Sequence, residues 1–381
     1  MVTILPVTTK KQRKQFVEFP LKLYKGNPYY VPPLYADEMA MFKDDFTYND
    51  QCKSQFFLAM RDNQVVGRIH GIWQFVANEK WGQSRVRFTR FECINDQQVA
   101  NALLSAVEDW GKSLGMTEIV GPLGFSDMER EGLLIEGFDQ LATFEENYNF
   151  DYYQTLIENY GYQKDVDWTG NKLYLPKGGA DPKIHEISSK IMKRYNLHFC
   201  EETNTNKFLK KYVDKIFAIW EDTYSKIYGT VPFSRKVMDG VLDQFKLMVK
   251  CQYVPLILDE HDNVVAFGLV FPSIAKAVQK SGGRLTIPCL FRLLKAINKP
   301  DVMDVALIGV VDEYKNKGLN AAVLSRLVHL FENIDHAESN LMLEYNNPIQ
   351  NMLKYFDAPQ HKRHRCYIKQ LVDSAPADVD K

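Results

Sequence analysis

Hydrophobic and polar positions repeat in the same order twice along the chain. Residues 55–60 alternate and pass through Arg61-Asp62-Asn63-Gln64 into Val65-Val66-Gly67-Arg68-Ile69-His70-Gly71. Residues 253–258 pass through Glu260-His261-Asp262-Asn263 into Val264-Val265-Ala266-Phe267-Gly268-Leu269-Val270. Alternation with Asp-Asn at or beside the turn and β-branched residues returning predicts a β-hairpin each time. Behind each hairpin the pattern predicts a strand, a long amphipathic helix and another strand, at 86–94, 96–114 and 117–120, then at 302–311, 318–333 and 340–344. Helices are predicted ahead of them, at 9–24 and 35–42 and at 206–224 and 234–249. In the third of these, Phe208, Tyr212, Ile216, Ala218 and Trp220 recur near helical spacing as a core face.

The duplicated order predicts an α+β protein of two related units, each a twisted, mixed but mostly antiparallel sheet flanked by helices. The stretch Lys177-Gly178-Gly179-Ala180, between Pro176 and Pro182, reads as a linker. The expected units are therefore 1–176 and 177–371, with 372–381 a small, polar, frayed tail. The length of 381 residues suits two domains, and 45% apolar with 25% charged residues is the composition of a globular protein.

Charge refines the picture. The formal net charge is −1, so no nucleic-acid partner is expected. Residues 1–180 carry 19 basic and 24 acidic side chains and residues 181–381 carry 28 and 24, which favours the second half for a phosphate-bearing ligand. Six cysteines lie far apart without a C-x-x-C pair, and no histidines pair at the i, i+4 spacing of a helical metal site, so no metal is expected. Free thiols, the absence of a secretory segment and the lack of a spanning run of ~20 apolar residues lead to an expected cytoplasmic location. No P-loop, G-x-S-x-G or G-x-G-x-x-G motif is present, against nucleotide hydrolysis, esterase chemistry and dinucleotide redox chemistry.

Candidate chemistry concentrates at 302–322. An apolar strand ending in Ile308, Gly309, Val310 and Val311 passes through a charged turn into a helix near Gly318. Lys315, Asn316, Lys317 and Gly318 fall at the helix's amino end, where unpaired N–H groups and the macrodipole favour an anion. Glycine permits the backbone conformation of a phosphate cradle, and Ala321 and Ala322 keep the first turn thin. An ordinary strand–helix connection with solvated lysines fits the spacing equally well.

The run Lys315-Asn316-Lys317-Gly318-Leu319-Asn320 resembles the acyl-CoA motif [Q/R]-x-x-G-x-[G/A] of the GNAT acetyltransferase superfamily, departing from it at both ends. Leu343-Glu344-Tyr345-Asn346-Asn347-Pro348 resembles that superfamily's Asn-rich turn after its fifth strand. Most of residues 50–370 is similar to bacterial tandem GNAT-like proteins, through Phe91-Glu92-Cys93, Gly121-Pro122-Leu123-Gly124-Phe125-Ser126, 131–139 and 309–319. The resemblance implies two GNAT-like units and acetyl-CoA or another acyl-CoA as co-substrate. It implies pantetheine laid along 308–311 as a pseudo-strand, a diphosphate on the amides of 315–321 including Leu319, Asn320 and Ala321, and a further contact at Asn346. It also implies direct attack of an amine on the thioester, with Glu344 as base and Tyr355 as the acid that returns a proton to the thiolate.

The equivalent turn of the first unit, Ile94-Asn95-Asp96-Gln97-Gln98, has no glycine and opens on a capping aspartate, so that unit reads as degenerate for the cofactor and as a wall of the substrate pocket. Asp127, Glu129 and Glu131 lie in its long acidic loop, where they either face a cationic amine or are simply exposed. The run Lys362-Arg363-His364-Arg365 reads as a solvated strand edge. From Asn263 to Pro300 there is no acidic residue, while Lys276, Lys280, Arg284, Arg292, Lys295 and Lys299 interleave with apolar positions. That segment reads either as a helix packed on its own domain or, through 274–299, as a peripheral contact with the inner membrane face. The leading expectation is acetyl transfer to a small primary amine. Long-chain acylation of a lipid amine and a non-catalytic binding module are the alternatives, and no oligomeric state is implied.

Overall fold

The computed structural model describes residues 1–177, 179, 181–245, 248–346 and 352–371. The chain divides into two units: Met1–Trp168 with Val278–Leu285 and the C-terminal segment from Lys362, and Thr169–Ala277 with Thr286–His361. The division therefore lies before Pro176, and the last strand and a short insertion of the second half belong to the first unit. The tail from 372 and two residues of the Lys177–Ala180 stretch, Gly178 and Ala180, lie outside the described residues.

The first unit runs β1 (Thr3–Pro6), α1 (Lys10–Leu23), α2 (Tyr35–Ala40), β2 (Cys52–Arg61), β3 (Gln64–Gln74), α3 (Phe75–Trp81), β4 (Arg85–Cys93), α4 (Gln97–Ser113), β5 (Glu118–Gly121), β6 (Leu133–Glu136), α5 (Tyr152–Asn159) and most of β7 (Gln163–Leu173). Asp62 and Asn63 take positive φ (51° and 60°), which gives the β2–β3 hairpin the right-handed twist its strands require. β4 pairs with β3 antiparallel and with β5 parallel, the latter only over Arg85–Arg87. The apolar stripe Val99, Leu103, Leu104 and Val107 of α4 is buried against Ile69, Val86, Phe88 and Ile119.

The second unit runs α6 (Pro182–Arg194), β8 (His198–Phe199), α7 (Thr205–Tyr224), α8 (Arg235–Phe245), β9 (Leu256–Leu258), β10 (Val264–Pro272), α9 (Ala275–Gln279), α10 (Ile287–Asn298), β11 (Val302–Val310), α11 (Leu319–Phe331), β12 (His336–Ser339) and β13 (Met342–Leu343). The antiparallel core is β8-β9-β10-β11, with β12 parallel to β11 and β7 beyond β12. α6 and α11 cover one face, where a Cβ at Gly268 would stand 2.7 Å from Val323. Phe208, Tyr212 and Ile219 of α7 cover the other, against Phe267 and Leu256. Two predicted helices and a hairpin therefore sit where the alternation placed them.

Two expectations are corrected. The strand predicted at 340–344 is shorter and has another ahead of it: β12 ends at Ser339, where Asn340 turns its side-chain amide to the Ala306 carbonyl (3.3 Å), and β13 occupies only Met342–Leu343. The run 362–365 is no solvated edge. It opens β14 (Gln360–Gln370), which pairs with β5 and β6, and Lys362 and His364 are buried.

Candidate active site

The site is built at the far end of β11. Pairing of β11 with β12 stops at Val305, opposite Ser339, the last residue of β12, so residues 306–310 have no parallel neighbour. An extra residue in β11, Ala306, interrupts its register with β10 at Leu269/Val270. Such a bulge bends the strand and re-aims its polar groups. Period-two geometry then points the N–H and C=O of Ile308 and Val310 to the open edge and those of Gly309 to β10. Part of this edge is engaged: the Tyr224 hydroxyl accepts from the Ile308 N–H (3.3 Å) and donates to its carbonyl (3.2 Å), and Thr223 donates to the Val310 carbonyl (3.4 Å).

Past Val311, a single turn carries the chain to α11. Asn316 and Gly318 take φ of 60° and 85°. Gly318 is needed for two reasons: its left-handed backbone, and a Cβ there would stand 2.5 Å from the Ile191 side chain of α6. It is also solvent-exposed and caps α11 without any side-chain hydrogen bond. Among the described residues, no acceptor takes the amides of Asn316, Gly318, Leu319 or Asn320, while Ala321 donates to Gly318 (2.9 Å). Bare amides at the positive end of a thirteen-residue helix fit a diphosphate. The lysines stand aside: Lys315 pairs with Asp312, and Lys317 lies over the rings of Tyr195 (5.2 Å) and Tyr314 (4.9 Å). Leu319 is buried in the core, and Asn320 and Ala321 are half-buried on the first turn.

The first unit repeats the strand and closes the cradle. Asp96 accepts from the amides of Gln98 (2.9 Å) and Val99 (3.2 Å) and pairs with Arg61 at 2.7 Å, so the positive end of α4 is filled by the chain's own carboxylate. At the end of β4, the Tyr153 hydroxyl accepts from the Cys93 N–H (2.7 Å) and donates to its carbonyl (2.9 Å).

The structure carries 308–311 and 315–321 on one continuous strand, turn and helix. Glu344 is half-buried in the turn after β13, where the Asn346 amide donates to Leu343 (2.9 Å). β13 pairs with β7 rather than with β11. Asn347 and Pro348 of the Asn-rich turn lie outside the described residues. Tyr355 packs half-buried against the apolar core beneath α11.

A carboxylate pair near the end of β12 escaped the sequence reading. Asp304 and Glu338 are register partners on β11 and β12, both buried, one pair before the end of β12. Glu338 lies 3.2 Å from His336 and 2.7 Å from His361. Hydrogen bonds donated by the ring to Glu338 and then Asp335 raise the His336 pKa against the effect of burial. The available signal was a charged residue inside an otherwise apolar strand.

Asp127, Glu129 and Glu131 all belong to the first unit. Glu129 is structural: it accepts from the Phe125 amide (3.1 Å) and stands 3.6 Å from Arg90. Glu131 is half-buried, and burial and then the Asp127 charge push its pKa well up, against Arg87. Further along, burial pushes Glu145 up to about 7, although Arg130 opposes it, and its Oε1 is shielded with no partner among the described residues. A carboxyl whose folded pKa exceeds its unfolded value stabilises below the unfolded value near 4.3 and loses that stability as pH rises through about 7. Glu145→Gln is therefore expected to stabilise by about 2–4 kcal/mol at pH 8 and to make no difference near pH 4, read from denaturation curves at both values.

No family model matches the chain. Among solved structures, a tandem GNAT protein from the clavulanic acid biosynthesis pathway aligns over 98% of this chain and 100% of its own, with a TM-score of 0.55 at 10% identity. A GCN5-related N-acetyltransferase from Sphaerobacter thermophilus aligns over 98% and 97%, with a TM-score of 0.50 at 8% identity. The architecture is thus the tandem GNAT fold of α+β acyltransferases. Among curated proteins, the chain is 27% identical over 370 residues to Protein YghO of Escherichia coli K12, covering 95% of this chain and 94% of that one. It is 24% identical over 383 residues to the bacterial ceramide synthase of Caulobacter vibrioides, covering 97% and 98%.

Proposed function

We propose that the chain is an acyl-CoA-dependent N-acyltransferase acting through its second unit, with a long-chain thioester as donor and a lipid primary amine as acceptor. The observation that carries the reading is the contrast between the two helix starts: α4 is capped by Asp96, whereas α11 presents bare amides beyond a strand that runs past the end of its parallel neighbour. The amides of Asn316, Gly318, Leu319 and Asn320 hold the diphosphate, and the 308–311 edge receives the pantetheine amides, with Tyr224 yielding Ile308. The amine nitrogen forms a bond to the thioester carbonyl carbon, the C–S bond breaks, and an amide and free CoA thiol result. A Val310 N–H on the open edge is placed to stabilise the oxyanion. The ammonium proton passes to a carboxylate, Glu344 or the Asp304–Glu338 pair, and Tyr355 returns one to the thiolate. The long-chain, lipid-amine version is supported by the name of the Caulobacter relative, a ceramide synthase.

Thermal denaturation with CoA, acetyl-CoA and palmitoyl-CoA tests this. Each ligand that binds should stabilise the chain by about 2.7 kcal/mol at 100 times its dissociation constant. Palmitoyl-CoA is expected to bind more tightly than acetyl-CoA. Preference for the acetyl thioester overturns the lipid version and leaves acetyl transfer to a small amine. Failure of all three overturns the cofactor site and leaves a binding module without the chemistry.

A further inference from the structure

The helix α10 has three faces, of which one is packed among the described residues. Cys289, Leu293 and Ile297, spaced i, i+4, i+8, are buried in the second unit. Tyr253 anchors the helix end by donating to the Ile297 carbonyl (3.4 Å), and Lys250 donates to Asn298 (2.9 Å). About a third of a turn away, at 3.6 residues per turn, Ile287, Leu290, Phe291 and Leu294 follow i, i+3, i+4, i+7 and stand in solvent. Ile287 is 72% exposed, Phe291 70%, Leu294 56% and Leu290 40%. The third sector carries Arg292, Lys295 and Lys299, the lysines exposed.

Scattered exposed apolar side chains need no explanation, but a contiguous ridge of four on one helix does. Its electrical setting selects the occupant. The nearest acidic residues along the chain are Asp262 and Asp301, so no carboxylate lies within the segment, and Lys276 adds a further exposed cation. An apolar ridge bordered on one side by cations is the profile of a helix lying in a lipid–water interface, with apolar side chains among acyl chains and ammonium groups on lipid phosphates. No helix among the described residues is long and apolar enough to cross a membrane, so the contact is one of surface attachment.

We infer that α10 docks the second unit on an anionic lipid bilayer through Ile287, Leu290, Phe291 and Leu294, with Lys295 and Lys299 on the headgroups. The position in the fold gives the contact a use. α10 leads into β11 at Val302, whereas the anion cradle follows its other end at Val310, about 25 Å away at ~3.3 Å per residue. A bilayer against α10 thus lies at the opposite end of the strand from the cradle, which stays in water with its soluble ligand. The attachment depends on this surface alone and would hold whatever reaction the site performs.

Co-sedimentation of the full chain with vesicles, in the absence of any thioester or amine, provides the test. The chain is expected to pellet with phosphatidylcholine–phosphatidylglycerol vesicles, to pellet far less with pure phosphatidylcholine, and to be released by salt. Lys295→Gln with Lys299→Gln should lower partition roughly 25-fold, since each cation at an anionic surface is worth about fivefold. Ile287→Ser with Phe291→Ser should lower it at least ~10-fold. Both pairs are exposed, so melting temperatures should stay at the wild-type value. No pelleting of the wild type with anionic vesicles overturns the inference, as does pelleting that both variants retain. A dimer that dissociates in Ile287→Ser, Phe291→Ser, without vesicle binding by the wild type, assigns the ridge to a second copy instead and also overturns it.

Discussion

Asn320→Glu is expected to lower affinity for CoA thioesters by two orders of magnitude while leaving the fold as stable as before, or slightly more so. Position 320 lies in the first turn of α11, two residues past the Gly318 cap, beside the amides that have no acceptor among the described residues. A carboxylate there is favourable to the helix by about 0.3–1 kcal/mol, because it meets the positive end of the macrodipole. Toward a diphosphate the same charge is repulsive by about 3 kcal/mol at ~5 Å and an effective dielectric near 20, which is a factor of ~100 in binding. The first unit already shows this arrangement in Asp96, whose carboxylate fills the start of α4. Calorimetric titration with CoA alongside a melting curve separates the two effects. Retained affinity in a stable variant would mean that the bare amides of α11 are not where the phosphates sit.

The parts of this architecture that sequence pattern reveals are those in which local chemistry and burial agree. The Asp62-Asn63 turn takes positive φ at both residues, and the strand after it is buried continuously from Gly67 to Ile72. Gly318 likewise announces a left-handed helix start. Apolar periodicity is blind where a polar side chain is buried by a distant partner. Lys362, in a run with every mark of a solvated edge, is matched by Glu146, 216 residues away in sequence. Asp304 is hidden among apolar neighbours in the same way, and only the three-dimensional register sets it opposite Glu338, one pair before the end of β12. The end of β12 was invisible for a further reason: Asn340, just past it, turns its side-chain amide to the Ala306 carbonyl, a tertiary contact that residue propensity does not encode.

The Lys362–Glu146 pair carries the largest stability effect expected in the first unit. Its atoms lie 2.6 Å apart with side chains only 2% and 1% exposed, and Glu146 also accepts from the Thr143 amide at 2.9 Å. Lys362→Met removes the cation that faces Glu146 in a site shielded from water, a change that costs about 3–5 kcal/mol. At roughly 2–4 °C per kcal/mol for a unit of this size, the melting temperature should fall by about 10 °C. Glu146→Gln, which removes the carboxylate facing the buried ammonium, should cost a similar amount. The double variant Glu146→Gln, Lys362→Met removes both charges and keeps the acceptor for Thr143, so it should lose less than the sum of the single changes. A thermal-denaturation cycle over the four proteins measures that coupling. Additive losses would show that the two side chains are independently solvated and that β14 is held by its ladder with β5 and β6 alone. Strong coupling would show that a basic residue on an inward-facing strand position is retained by its carboxylate partner, as the buried geometry requires.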